Sequence, residues 1–222
     1  MQMNKENKRL SLTGSELKPE DVREVASGRQ AVTISPQALA AMEASHQLVV
    51  SILRSGIPTY GISTGFGDLS RLTISEDMNA QLQVNLIRSH ASGVGPAFSP
   101  EVVRAIMLLR LNALCVGYSG INPQVALLLA DLINHDIIPL IPQQGSLGAS
   151  GDLANLAHMS LVLVGEGEAL VEGQWLEGGQ ALARRGLSPV CLSGKDGLAL
   201  INGTSVMLGL GVLGLLEAEL CM

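Results

Sequence analysis

Between two strongly apolar stretches, residues 137–142 and 153–164, the chain passes through Gly145-Ser-Leu-Gly-Ala-Ser-Gly-Asp152, a run nearly devoid of side chains. A loop this small and polar, set in so much hydrophobic sequence, is expected to be enclosed by the fold. Enclosed irregular backbone must find partners for its N–H and C=O groups. Whatever surrounds the loop has to be arranged to supply them.

The surroundings read as helices. Ser35-Pro36, Ser99-Pro100 and Asn122-Pro123 each join a capping side chain to a proline suited to the first helical turn. They predict a helix from Pro36 to Gly56, one from Pro100 to Gly117, and a third from Pro123 that stops between Asn134 and Pro139. Lys18-Pro19 opens a shorter helix with acids in its first turn, and Ser75 caps one that ends near Gly93. Asp152 is expected to cap the helix that follows it, to about Val164. Arg9–Leu12 reads as a short strand, and Glu166–Gly179 as a small hairpin carrying the only tryptophan, Trp175. Short helices around Gln180–Arg185 and Lys195–Leu200 lead to a long apolar one, Ser205–Met222. Consecutive helices joined by short loops make a mainly α bundle with a few strands, one region spanning 1–222. Its last helix carries no stop signal, so the chain is expected to be truncated within it.

Apolar residues make up 47% of the 222-residue chain and charged ones 15%, with a mean hydropathy of +0.34. No run reaches the roughly 18–20 uninterrupted apolar residues of a membrane span. Val206–Leu216 comes nearest, broken by glycines and closed by Glu217 and Glu219. That apolarity reads as helical core buried against other subunits, with no membrane partner. A net charge of −6 and the lack of basic clusters argue against nucleic acid. Cys115, Cys191 and Cys221 are widely spaced, and no apolar leader is present, which points to a reduced, cytoplasmic protein.

Familiar catalytic signatures are missing. Gly61, Gly65 and Gly67 do not form a dinucleotide-binding G-x-G-x-x-G. The histidines at 46, 90, 135 and 158 show no metal-ligand spacing, so no metal is expected, and His46 and His135 read as surface or helix-end residues. Ser150 lies between Gly148 and Gly151, but a hydrolase elbow needs one more residue before its second glycine. Ala149-Ser150-Gly151 could instead cyclise. With no Cβ at 151, the backbone can bend until the Gly151 nitrogen reaches the Ala149 carbonyl carbon. Loss of water would leave a methylidene-imidazolone, an electrophile needing no external cofactor. The same residues also suit a plain Ser-Gly-Asp helix cap, and spacing does not decide between the two.

The stretch Gly145-Ser-Leu-Gly-Ala-Ser-Gly-Asp-Leu-Ala-Asn-Leu-Ala-His158 resembles the electrophile-forming motif of the aromatic amino acid ammonia-lyases, above all those acting on histidine. Tyr60-Gly-Ile-Ser-Thr-Gly-Phe-Gly67, Asn85-Leu-Ile-Arg-Ser-His-Ala-Ser-Gly-Val-Gly95 and Leu198-Ala-Leu-Ile-Asn-Gly-Thr204 resemble further segments of that family, in its order. The resemblance runs from about residue 12 to the end. It implies elimination of ammonia from L-histidine to give trans-urocanate, through a 4-methylidene-imidazol-5-one formed autocatalytically from Ala149, Ser150 and Gly151. It also implies Tyr60 as the base, Asn202 as support for the electrophile and bound amino acid, and Ser89 and His90 as selectors of the substrate side chain. Alternatives are a tyrosine or phenylalanine ammonia-lyase, an aminomutase, or a non-catalytic helical fragment.

Two departures stand out. Asn155 occupies a place where the family usually has proline, which predicts a local change in how the chain enters the helix. The family's second catalytic tyrosine and carboxylate-binding arginine would lie beyond Met222. Its active sites also combine several subunits of a homotetramer, so this chain alone is expected to be inactive.

Overall fold

The computed structural model describes residues 9–65, 76–146 and 151–222, and its helices begin where proline and small polar residues start them. In order they are α1 (Pro19–Ala26), α2 (Pro36–Ser55), α3 (Glu76–His90), α4 (Pro100–Cys115), α5 (Pro123–Asn134), α6 (Leu153–Leu163), α7 (Gly178–Arg184), α8 (Asp196–Ile201) and α9 (Ser205–Leu220). Ser35 Oγ accepts the Ala38 N–H at 3.1 Å, Ser99 Oγ that of Val102 at 3.4 Å, and Asn122 Oδ1 that of Gln124 at 3.0 Å. Each satisfies a first-turn donor that the helix itself cannot.

Helix α4 is the axis of the core. Val103, Ile106, Met107, Leu108, Leu111 and Leu114 are buried around its whole circumference, so it is surrounded rather than amphipathic. It packs against α1, α2, α5 and α9. At its outer side α9 leaves Met207, Leu208 and Leu215 about half exposed.

Among the described residues three small sheets trim the bundle. Strand β1 (Leu10–Leu12) runs parallel to β2 (Val32–Ile34); β3 (Val94–Ala97) is antiparallel to β5 (Pro142–Gln144), with a shift of register between Val94 and Ala97. Strands β4 (Ile138–Pro139), β6 (Glu168–Val171) and β7 (Gln174–Glu177) form an antiparallel sheet in the order 4-6-7. The first strand and the tryptophan hairpin agree with expectation. Strands β2 to β5 were not anticipated, because two to four residues cannot display a period-two pattern and are held by their partners instead.

Other expectations need correction. Helix α3 ends at His90 rather than near Gly93, as the chain turns there into β3. His46 is not a surface residue: it is 9% exposed, with Nδ1 3.3 Å from the Gly120 carbonyl oxygen, a fixed acceptor on the facing loop. His135 does follow the last turn of α5, exposed. The run Asp196–Leu220 has the length and composition to cross a membrane. The break at 202–204 divides it into helices of 6 and 16 residues, each short of the roughly 20 a span needs.

Candidate active site

Strand β5 delivers the chain to the small-residue loop and α6 takes it away. Gln143 to Ser146 are exposed, whereas Gly151 and Asp152 are buried, so the expected enclosure holds for the departing limb and not for the approaching one. Ala149 and Ser150, the first two residues of the expected ring, lie outside the described residues. The third, Gly151, has a φ of +119°, and a Cβ there would come 2.6 Å from the Gly203 carbonyl oxygen. Only glycine fits both that backbone bend and that contact. A ring closing through the Gly151 nitrogen calls for such a bend, so the described part of the segment fits the group.

Asp152 corrects a second expectation. At φ −94° and ψ 44° it precedes α6, yet its side chain makes no bond to that helix. Its Oδ2 accepts the N–H groups of Val206 at 2.8 Å and Met207 at 3.0 Å, its Oδ1 the Ser146 hydroxyl at 3.1 Å, and its own N–H donates to Gly203 O at 2.7 Å. The carboxylate therefore caps α9, whose own N-cap residue, Thr204, makes no side-chain bond. A helix N-terminus presents unpaired donors and a partial positive charge, and a fully buried carboxylate needs both.

Two polar side chains fix the base of α6. Asn155, 1% exposed, donates from Nδ2 to the Pro142 carbonyl at 2.7 Å, tying the strand before the loop to the helix after it. It is the third residue of a regular α6, where its side chain makes a bond that the family's usual proline could not. His158 does more than pack on its helix. Its Nε2 accepts the Gly93 N–H at 3.0 Å, and burial lowers its pKa, so the neutral ring with hydrogen on Nδ1 is the form held.

The opposite wall comes from α3 and the Tyr60 turn. Leu86 O can only accept, so the 2.8 Å contact from His90 Nδ1 places a ring hydrogen on Nδ1; in the neutral tautomer this leaves Nε2 as an acceptor. The Ser89 hydroxyl also donates to Leu86 O, at 2.9 Å. Asn79, buried on α3, was missed from sequence. Its Nδ2 donates to Ile62 O at 2.9 Å and Gly194 O at 3.1 Å, joining the Tyr60 turn to the loop before α8. Gln83 Oε1 accepts the Gly197 N–H at 3.0 Å, seating α8 on the same helix. Both look like ordinary polar helix residues in the sequence, and only burial distinguishes them.

Tyr60, His90 and Asn202 come together on one cavity of about 450 Å³, walled also by Leu86, Leu153, Leu198 and Ile201. A second, of about 290 Å³, is lined by Ser89, His90, Ser92, Gly145, Gly151, Leu153 and Ala154. His90 and Leu153 belong to both, so the two spaces adjoin. Tyr60 and Asn202 are exposed at their rim. Among the described residues no group of three His, Cys, Asp or Glu side chains could hold a metal.

Comparison with known proteins agrees with this architecture. Histidine ammonia-lyase of Treponema denticola is 55% identical over 212 residues, covering 96% of this chain and 42% of that protein. That of Geobacillus thermodenitrificans is 49% identical over 210 residues, covering 95% and 42%. The chain thus spans about two fifths of the length of these relatives. Among solved structures, histidine ammonia-lyase from Trypanosoma cruzi superposes with a TM-score of 0.89 at 34% identity, over 95% of this chain and 41% of that one. Tyrosine aminomutase from Streptomyces globisporus superposes at 0.87 with 42% identity, over 92% and 38%. A profile of the aromatic amino acid lyases matches residues 17–222, and the chain belongs to that family.

Proposed function

We propose that the complete protein eliminates ammonia from L-histidine to give trans-urocanate, and that this chain supplies the electrophile-forming segment, a base and a selector of the substrate side chain. The observation that carries the reading is the shared cavity. Tyr60, His90 and Asn202, drawn from three separate segments, face one space that adjoins the buried Gly151. Relatives at 43–55% identity named histidine ammonia-lyase, or probable histidine ammonia-lyase, support the choice of substrate.

A methylidene-imidazolone at Ala149, Ser150 and Gly151 supplies the electrophile that turns the substrate amine into a leaving group. Tyr60 takes the β-proton. His90 offers Nε2 to a ring N–H, which imidazole provides and a phenyl ring lacks. The Asn202 amide can accept from the substrate amine and donate to its carboxylate. Leu86, Leu153, Leu198 and Ile201 keep water from the ring and the β-carbon. We place the working enzyme in the cytoplasm as a homotetramer, in a route of histidine degradation, with the apolar face of α9 covered in the assembly.

The test uses full-length protein and ultraviolet absorbance, with histidine, tyrosine and phenylalanine offered in turn. Histidine is expected to be turned over fastest, and Ser150→Ala to abolish turnover. Tyr60→Phe should lower kcat, and His90→Phe should raise the KM for histidine while narrowing its lead over phenylalanine. Undiminished turnover by Ser150→Ala would overturn the reading.

A further inference from the structure

Arg110 lies mid-way along α4, 6% exposed, among the most apolar residues of the chain. A guanidinium cannot shed its charge at neutral pH, and taking an unpaired cation out of water costs several kcal/mol. Burial lowers its pKa to about 10, still well above neutral. Among the described residues no carboxylate forms an ion pair with it, and its Nε has no partner. A leucine would fill the place at lower cost, so packing alone does not explain the residue.

What the guanidinium does touch is the crossing from α8 to α9. Its Nη2 donates to the Ala199 carbonyl in the last turns of α8, and a Cβ on Gly203 would overlap its Nη1. From the other side, the Gly203 carbonyl accepts the Asp152 N–H at 2.7 Å and limits the space at Gly151. Gly203 is thus held between Arg110 Nη1 and the Gly151-Asp152 peptide. A forked guanidinium can bond one carbonyl with one nitrogen and bring its other against a glycine; an ammonium or a thioether cannot do both.

We propose that Arg110 is a positioning residue for the Gly151 nitrogen: it fixes the 202–204 crossing, and that crossing holds Gly151 in its left-handed bend. This rests on the reading that Ala149, Ser150 and Gly151 form the electrophile. In that closure the Gly151 nitrogen bonds to the Ala149 carbonyl carbon. The carbonyl oxygen departs as water with the amide hydrogens of Ser150 and Gly151. The Ser150 hydroxyl departs as a second water with its α-hydrogen, leaving an alkene. No oxidant or external group is consumed. A Gly151 that wanders from the bend lowers the frequency of attack, as misplacement does in any proximity-driven step.

The test compares full-length wild type with Arg110→Met, Arg110→Lys and Gly203→Ala. Intact mass gives the fraction of subunits lacking two waters, hydrogen exchange reports the Asp152 amide, and kinetics give kcat and KM for histidine. Arg110→Met should lower protection of the Asp152 amide at least tenfold and the dehydrated fraction to below a tenth. Its kcat should fall in proportion to that fraction and its KM stay within twofold, since fewer subunits become competent while those that do are normal. Arg110→Lys should recover part of both losses. Gly203→Ala keeps the charge but forces the crossing off the guanidinium, so it decides the matter should Arg110→Met not fold. It should still fold, melting below the wild-type temperature because of that overlap, with the dehydrated fraction lost. Full dehydration in a folded Arg110→Met or Gly203→Ala protein overturns the proposal. Wild type without the two-water deficit would instead sink the functional reading, while exchange at Asp152 still judges whether Arg110 holds the crossing.

Discussion

Replacing Asp152 by alanine removes one carboxylate from two structural duties at once. Its Oδ2 is the acceptor for Val206 N–H at 2.8 Å and Met207 N–H at 3.0 Å. Hydrogen bonds to a charged group are worth about 1.5–3 kcal/mol each. Two would give an upper figure near 6 kcal/mol, but the Met207 end is only part-buried and water can reach it. Loss of a helix cap alone usually costs about 0.5–2 kcal/mol. Between these bounds, Asp152→Ala is expected to destabilise the start of α9 by about 3 kcal/mol. Asp152→Asn keeps the shape and loses the charge facing the helix end, at about 1 kcal/mol. Native-state hydrogen exchange reads this locally. Protection of the Val206 and Met207 amides should fall roughly a hundredfold in the alanine variant and several-fold in the asparagine variant, since about 1.4 kcal/mol is a factor of ten. Amides in the middle of α4 should change less. A drop below threefold for alanine, or an equal drop across α4, would refute the assignment of Asp152 to α9.

Three further outcomes follow from the described geometry. Asn155→Pro should leave α6 regular, because the third helical position loses no internal bond, while freeing the Pro142 carbonyl and lowering stability by about 1 kcal/mol; circular dichroism showing loss of helix would contradict it. His158 has a folded pKa below its ordinary 6.5, so its contribution is complete above that value and is lost as pH falls through the lowered one. The wild-type Tm should therefore drop relative to His158→Gln between pH 7.5 and 5, and a flat difference would show that the Gly93 bond does not depend on the neutral ring. Asp196 runs the other way: burial raises its carboxyl from 3.8 to about 6, although the Asn122 and Ser193 N–H groups oppose this. Folding then favours the protonated form, and stability held below pH 4 is lost as pH rises through 6, by at most on the order of 3 kcal/mol. Melting of wild type against Asp196→Asn from pH 4 to 7 should show that decline, and an unchanged difference would discard it.

Much of the frame was legible because its signals are local. Ser35, Ser99 and Asn122 cap the helices that their prolines begin, and the bond each makes spans three residues or fewer. The tryptophan hairpin was equally plain, since Glu172-Gly173 provides the turn, with φ of 53° and 79°. Asp152 was misread for the complementary reason. A carboxylate before a helix looks like its cap, and nothing nearby in the sequence announces donors 54 residues away. Ser89 and His90 were found through resemblance, but the ring tautomer of His90 depends on the Leu86 carbonyl and needs coordinates. Arg110 was passed over: it stands in the sequence as a charge inside an apolar helix, and that its side chain points inward at the α8–α9 crossing depends on which face the neighbours cover.

The bond from Asp152 to α9 also sets a schedule. Its two acceptor contacts reach 54 and 55 residues ahead in the chain. At a synthesis rate of roughly 5–20 residues per second, the carboxylate leaves the ribosome about 3 to 11 s before the amides it will hold. Gly203, which confines Gly151, arrives equally late. Through that interval nothing yet made holds the Gly151 nitrogen toward the Ala149 carbonyl, the contact that the proposed ring closure needs. Docking of the later helix ends the wait; under the proposed function, the reactive alkene is thereby kept off unfinished chains, where passing thiols and amines could consume it.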